Sequence, residues 1–389
     1  MVEGNKGLYD GLALDGSNSN AALAHMLSLP VVLVIDARGM TRGIAPLILG
    51  YQAFDRGLDI AGVILNNLGG ARHESKLRAV IEHYTDVRVL GAVHQDPRLA
   101  IVERHLGLMP SNEAAAADAT IREIGALVGG QVDLDRLREA AAAAPALQPP
   151  ADIGVACRLG TAKHVRIAIA RDRAFGFYYA DDLDALEDAG AELVAFDTLR
   201  DAHLPPADGL FIGGGFPEQF MGELEANATL RGEIRNAIER GIPAYAECGG
   251  LMYLAKTLSW DGRTCSMVGA IDGDVVMRAR PVGRGYVELA ETPSHPWPQS
   301  GAGERVRCHE FHYSELVNLS DKLKFAYRVT RGHGTDGASD GIVYRNLLAS
   351  YCHLRSTRAC DWAARFVEFV RRKRAAQAAR PAAAAVAAR

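Results

Sequence analysis

Apolar runs too short for helices and bounded by turn residues recur along the chain, and stretches with helical spacing lie between them. Val31-Val32-Leu33-Val34-Ile35-Asp36, the run Ile60 to Asn66 and the run Val87 to Val93 are three of these, and a helix-like segment near residues 43–56 separates the first two. Strands buried on both faces read as continuous apolar runs, whereas half-exposed strands alternate, so this order predicts parallel strands with crossover helices. A second series opens with Val165 to Ala170 and continues with Ala191 to Phe196, Gly209 to Gly213 and Ile242 to Glu247. From about Leu134 to Ala162 the chain is rich in Ala and Pro, which marks a domain boundary. The expected class is α/β with two parallel-sheet domains: one over residues 1–150, a linker over 151–164, a second domain over 165–374 and an Ala-rich tail over 375–389.

A length of 389 residues fits two domains better than one. Hydrophobic content of 48%, 40 glycines and a net charge of −4 argue against disorder and against a nucleic-acid binder that works through bulk positive charge. The basic run Arg371-Arg372-Lys373-Arg374 reads as a helix end followed by a frayed tail. Six cysteines, at 157, 248, 265, 308, 352 and 360, are scattered without a CxxC pair, so neither a disulfide framework nor a zinc ribbon is indicated, and a reducing cytoplasm fits them best. No stretch reaches the roughly 18 consecutive apolar residues of a membrane span. Neither nucleic acid nor membrane is an expected partner.

The candidate chemistry centres on Cys248. It follows a short apolar strand and precedes Gly249-Gly250 and a helix-like run to Leu254. A cysteine on a sharp strand-to-helix turn is held clear of the sheet at the positive end of a helix dipole, which favours the thiolate, while the glycines allow a tight turn and close approach of a substrate. A thiolate nucleophile needs a base and an oxyanion site. His353, at the end of the strand-like Leu347 to Cys352, is the candidate base, and Gly213-Gly214-Gly215-Phe216-Pro217-Glu218, after an apolar strand, offers backbone N–H groups that Gly249 would join. The same region allows a rival reading, a tetrahedral metal site of Cys308, His309, His312 and Cys352.

Taken in order, Ala174 to Tyr179, Gly213 to Glu218, Ala246 to Leu254, His309 to Ser314 and Ala349 to Leu354 resemble a class I glutamine amidotransferase, and more closely the cobyrinic acid a,c-diamide synthase family. The resemblance implies a flavodoxin-like amidotransferase domain in the second half, with Cys248 attacking glutamine, His353 as its base, and Gly214, Gly215 and Gly249 at the oxyanion. The usual His-x-Glu ending of such triads is missing, because Leu354-Arg355 follows His353, so a Cys-His dyad is expected. His309 and Glu310 are expected to orient a loop at the domain interface.

Residues 3–120 are similar to that family's other domain, which looks like dethiobiotin synthetase and other P-loop enzymes. The resemblance makes Glu3 a Mg²⁺ ligand, sets Asp10 near the substrate carboxylate and Asn66 near the adenine of ATP, and implies internal transfer of ammonia to a tetrapyrrole carboxylate activated with ATP. Asn5 and Lys6 replace an apolar pair common at that point of the family. No G-x-x-x-x-G-K-[ST] loop occurs in the sequence, and the expectation is that Met1 is an internal start with a P-loop upstream. The implied activity is glutamine-dependent amidation of the a and c acetates of cobyrinic or hydrogenobyrinic acid. Alternatives are an amidase of a siroheme or sirohydrochlorin-type tetrapyrrole, and a glutaminase-only or regulatory relic. A homodimer or a separate P-loop subunit is the partner either way.

Overall fold

The computed structural model describes residues 1–4, 6–101, 114–146, 164–298, 305–357 and 359–387. They form two compact units. The first unit contains α1 (Asn20–Leu27), β1 (Val31–Asp36), α2 (Ile44–Phe54), β2 (Ile60–Leu68), α3 (Ala71–Tyr84), β3 (Val89–His94), α4 (Ala114–Gly129) and α5 (Leu134–Ala142). Its three strands pair in parallel in the order β1-β2-β3. Leu33, Ile35, Val63 and Leu65 of the strands pack with Ile44, Ile48, Leu77 and Ile81 of the helices, while Val34 on the other face of β1 is exposed. β1 has the bounds that its apolar run predicts; β2 runs two residues past Asn66, and β3 begins two residues after Val87.

The Ala- and Pro-rich stretch read as a boundary begins, in the structure, with a helix. Asp133 caps α5 by accepting from the Arg136 amide, and Leu, Arg, Glu and Ala are strong helix formers, so the same alanines that suggested a break propagate a helix instead. The expected linker, apart from His164, lies outside the described residues, as does Asn5.

The second unit begins with β4 (Val165–Ala170), β5 (Phe175–Phe177), α6 (Ala180–Asp188), β6 (Ala191–Phe196), β7 (Gly209–Ile212), β8 (Gly214–Gly215), α7 (Met221–Ala226), α8 (Ala228–Glu239), β9 (Ala244–Glu247) and α9 (Gly249–Leu254). It continues with β10 (Thr257–Trp260), β11 (Arg263–Ser266), β12 (Asp274–Met277), β13 (Gly283–Glu291), β14 (Val306–His312), β15 (Ser314–Val317), β16 (Lys324–Arg331), β17 (Ser339–Tyr344), β18 (Leu347–Ser350) and α10 (Trp362–Ala387). α10 runs on through the segment read as a tail, in keeping with the helix propensity of alanine.

Nine strands make the main sheet, in the order β14-β13-β16-β17-β18-β9-β7-β4-β6. The five strands from β18 to β6 are parallel, and numbered by appearance they lie 2-1-3-4-5, the flavodoxin-like order. The other four extend the sheet antiparallel. Val165, Ile167 and Ile169 of β4 join Trp362, Phe366 and Val370 of α10 on one face, while Ala168 and Ala170 join Leu230, Ile234 and Ile238 of α8 on the other. This double cover is why the strand shows no alternation. A smaller sheet, β11-β10-β12-β15, completes the unit.

In this sheet order the carboxyl ends of β7, β9 and β18 lie side by side. The last is secured by Asp340 of β17, whose fully buried carboxylate accepts from Thr335 Oγ1 (2.8 Å), Ser350 Oγ (2.5 Å), and the amides of Tyr351 and Cys352 (3.1 Å each). Asp340→Ala strands these buried donors and is expected to destabilise the second unit by about 3 kcal/mol or more, whereas Thr335→Val costs about 1 kcal/mol; urea unfolding of the full chain measures both.

Candidate active site

β9 carries the chain to Cys248, where the backbone turns through φ 46° and ψ −102° before α9 begins. A non-glycine residue with positive φ is strained, and the surroundings hold it there. The Cys248 amide donates to Ser350 O at 2.7 Å and the Cys248 carbonyl accepts from the Met252 amide at 3.0 Å. The first turn of α9 lies directly on the β7–β8 backbone. A Cβ on Gly250 would sit 2.1 Å from Ile212 O, one on Gly249 2.8 Å from Gly215 N, and one on Gly215 1.9 Å from Ala174 O, so side chains are excluded on steric grounds. Gly214 in turn leaves space for His353: a Cβ there would lie 2.8 Å from the ring's Cε1. The structure thus brings Cys248, His353, Gly214, Gly215 and Gly249 together. Gly213 does not belong with them as a donor, since its amide is given to the Tyr178 hydroxyl at 3.0 Å.

His353 lies three residues past β18 and is bridged antiparallel to His309 in the middle of β14. Its ring lies within electrostatic reach of the Cys248 side chain, and its Nδ1 is 3.4 Å from Glu247 Oε2. Burial pulls the imidazole's pKa down, but the interactions with Cys248 and Glu247 outweigh it, and the net result is well above the ordinary value. The His309 ring stacks on it, with centroids 5.0 Å apart and planes at 17°, and His309 Nε2 is 3.2 Å from the Tyr179 hydroxyl. Burial first, and the electrostatic influence of His353 second, push His309 down to about 4, so it is neutral near pH 7.

Sequence reasoning missed Glu247. Its signal was a carboxylate ending an otherwise apolar strand next to the candidate nucleophile. Glu310, expected to orient a loop, accepts from the amides of His333 and Gly334 at 2.7 Å each. The rival metal site is not assembled. Alternation along β14 turns His309 toward Tyr179 and His353 while Cys308 and His312 are buried on the other face, where His312 Nδ1 bonds Ser314 O at 2.8 Å. Among the described residues no group of three His, Cys, Asp or Glu side chains could hold a metal ion.

In the first unit Asn66 lies in β2 opposite Asp36 of β1, with its Oδ1 accepting from the Asn67 amide. Glu3 and Asp10 are exposed on the coil before α1, where Asp10 closes a turn by donating its amide to Gly7 O. No hydrogen bond among the described residues joins these three side chains to one another.

Residues 166–359 match the family model of the CobB/CobQ-like glutamine amidotransferase domain, and residues 1–102 match that of an AAA domain. A cobyrinate a,c-diamide synthase of Magnetococcus marinus is 44% identical over 96% of this chain and 80% of its own length. One from Methanosarcina acetivorans is 40% identical over 98% and 80%, and one from Caldanaerobacter subterraneus 40% over 91% and 77%. The chain belongs to the cobyrinate a,c-diamide synthase family. It is a ligase of the glutamine-hydrolysing kind, with an amidotransferase domain that contains the Cys248 turn and an AAA-type domain that precedes it in the sequence.

Glu218, in the turn after the glycine triplet, is a second buried carboxyl group. Burial pushes its pKa up from 4.5 to about 7. The neutral form is therefore the one that folding favours: the stabilisation is complete below about pH 4.5 and is lost as pH rises through 7. Glu218→Gln is expected to abolish this dependence, so that from pH 5 to pH 8 the wild type loses about 3 kcal/mol relative to the variant in urea unfolding.

Proposed function

We propose that the protein amidates the a and c acetate side chains of cobyrinic or hydrogenobyrinic acid with nitrogen taken from glutamine. The observation that carries the reading is Cys248 on its strained turn, within electrostatic reach of His353 and flanked by the bare backbones of Gly214, Gly215 and Gly249. In this reaction the Cys248 sulfur attacks the carbonyl carbon of the glutamine side chain, and backbone N–H groups of the three glycines steady the oxyanion. His353 takes the thiol proton and delivers it to the departing nitrogen. The C–N bond breaks, ammonia leaves, and a thioester is left on Cys248. Water then attacks the thioester, with His353 again accepting a proton, and glutamate departs. The released ammonia becomes the amide nitrogen of the tetrapyrrole product.

The family's AAA domain implies use of ATP, which supplies the activation of the carboxylate when bound. Glu3 and Asp10 are carboxylates of the type that hard cations such as Mg²⁺ select, and Asn66 offers an amide of the kind that reads a base edge. The lysine-bearing glycine loop that cradles a triphosphate is not among the 389 residues. Glutamine and a tetrapyrrole acid are the small-molecule partners of this reading.

Mass spectrometry of cobyrinic acid incubated with the protein, glutamine, ATP and Mg²⁺ tests it. Stepwise conversion of two carboxylic acids to amides is expected. Cys248→Ala should lower the glutamine-driven rate at least about 10³-fold and leave the ammonia-driven rate in place. Glutamate release at the wild-type rate from Cys248→Ala would remove the nucleophile assignment. Glutamate release by the wild type without amidated corrinoid would remove the substrate assignment and leave a sirohydrochlorin-type acid or glutamine hydrolysis alone.

A further inference from the structure

We infer that Glu247, the residue immediately before the nucleophile, is the positioning residue for His353, and that it fills from the nucleophile's own strand the role that a carboxylate after the histidine would otherwise hold. This rests on the Cys248–His353 reading given above.

The position two residues past His353 cannot supply an acid. It is Arg355, whose guanidinium bonds Asp181 at 2.6 and 2.5 Å and lies 3.6 Å above the Tyr179 ring. Among the described residues Glu247 is the one carboxylate bonded to the His353 ring. Its own position is tightly set. Oε1 accepts from the Tyr245 hydroxyl at 2.5 Å and from the Leu354 amide at 3.0 Å, leaving Oε2 toward Nδ1 of His353. The glutamate therefore grips both the imidazole and the backbone that follows it.

The register explains how one residue can do this. β9 and β18 are parallel neighbours with Glu247 opposite Ser350, so a side chain at the end of β9 reaches the segment that runs on from β18. A ring that gives its Nδ1 proton to Glu247 keeps its Nε2 lone pair for a thiol proton, and the carboxylate stabilises the imidazolium that results. The other groups around the pair are accounted for. Cys248 is the ring's partner on the elbow, neutral His309 stacks from β14, Arg355 is engaged by Asp181, and Tyr245 from β9 donates to the carboxylate. Tyr178 and Asp182 also lie within electrostatic range of Glu247; Tyr178 spends its proton on Ala170 O, and Asp182 accepts from the Ser356 amide.

Two measurements on the full chain test the assignment: steady-state glutaminase kinetics across pH, and the pH profile of Cys248 alkylation by iodoacetamide followed on the Cys248 peptide. For Glu247→Gln the expected result is a kcat lowered about 10²-fold or more with the KM for glutamine changed less than about threefold. Without the negative charge the imidazolium is disfavoured and the thiolate with it, so the alkylation midpoint moves up by about one pH unit. Glu247→Asp should recover part of the kcat. Tyr245→Phe, which keeps the carboxylate but removes one of its two anchors, should lower kcat about tenfold at constant KM.

A Glu247→Gln enzyme with wild-type kcat and an unmoved alkylation profile overturns the assignment while leaving the nucleophile reading intact. Equal losses in kcat, KM and unfolding midpoint, without a shift of the profile, overturn it in favour of a structural role. If Glu247→Gln does not fold, Tyr245→Phe decides: an unchanged kcat counts against the assignment. Unimpaired glutaminase activity in Cys248→Ala, by contrast, shows that the underlying reading has failed.

Discussion

The second unit depends on one steric constraint, the direct contact between the first turn of α9 and the backbone that leaves β7. Gly215, Gly249 and Gly250 leave no room for a methyl group, and the contact forces Cys248 into a conformation that an L-residue resists. Because the helix must start there, the sulfur is set at the edge of the sheet rather than within it. The loop of Gly213 to Gly215 is brought alongside by the same contact. Site geometry and main-chain packing are thus one arrangement, and the glycines cannot be exchanged without moving Cys248.

Charge is managed inside this arrangement by giving each buried ionisable group a different answer. Burial and the neighbouring His353 lower the His309 pKa to about 4, while Cys248 and Glu247 raise that of His353 against the same burial. Asp340 is met by four donors, and Glu218, without such company, is pushed toward its neutral form. With the two imidazoles stacked 5.0 Å apart, a charge on one disfavours a charge on the other.

Much of this was legible in the chain. The run that became β4 was readable because both faces of the strand are covered, and those that became β1 and β6 because they stay mostly apolar even where Val34 and Ala195 are exposed. The strands from β10 to β17 escaped notice for the opposite reason. In β13, Gly-Arg-Gly-Tyr-Val-Glu-Leu-Ala-Glu, one face is partly solvated and two glycines interrupt the pattern, so it reads as a loop. Cys248, Gly214 and Gly249 stand in short local motifs whose shape follows from neighbouring residues. Glu247 does not: its meaning depends on His353, 106 residues away, and arises only when β9 and β18 pair. The helix α5 at the start of the boundary stretch was not read because composition without a helix cap in view looks the same in a linker and in a helix.

That pairing has a further consequence for how such a chain can vary. β9 and β18 are hydrogen-bonded neighbours, yet everything from β10 to β17 is threaded between them. Topologically the intervening stretch is a closed excursion whose two ends are fixed a strand's width apart. The entropy of closing a loop grows only with the logarithm of its length, so lengthening or trimming the excursion changes the cost of bringing the ends together very little. Insertions in the loops of the excursion therefore cost little, provided that His309 of β14 and Asp340 of β17 keep their contacts with the segment that follows β18.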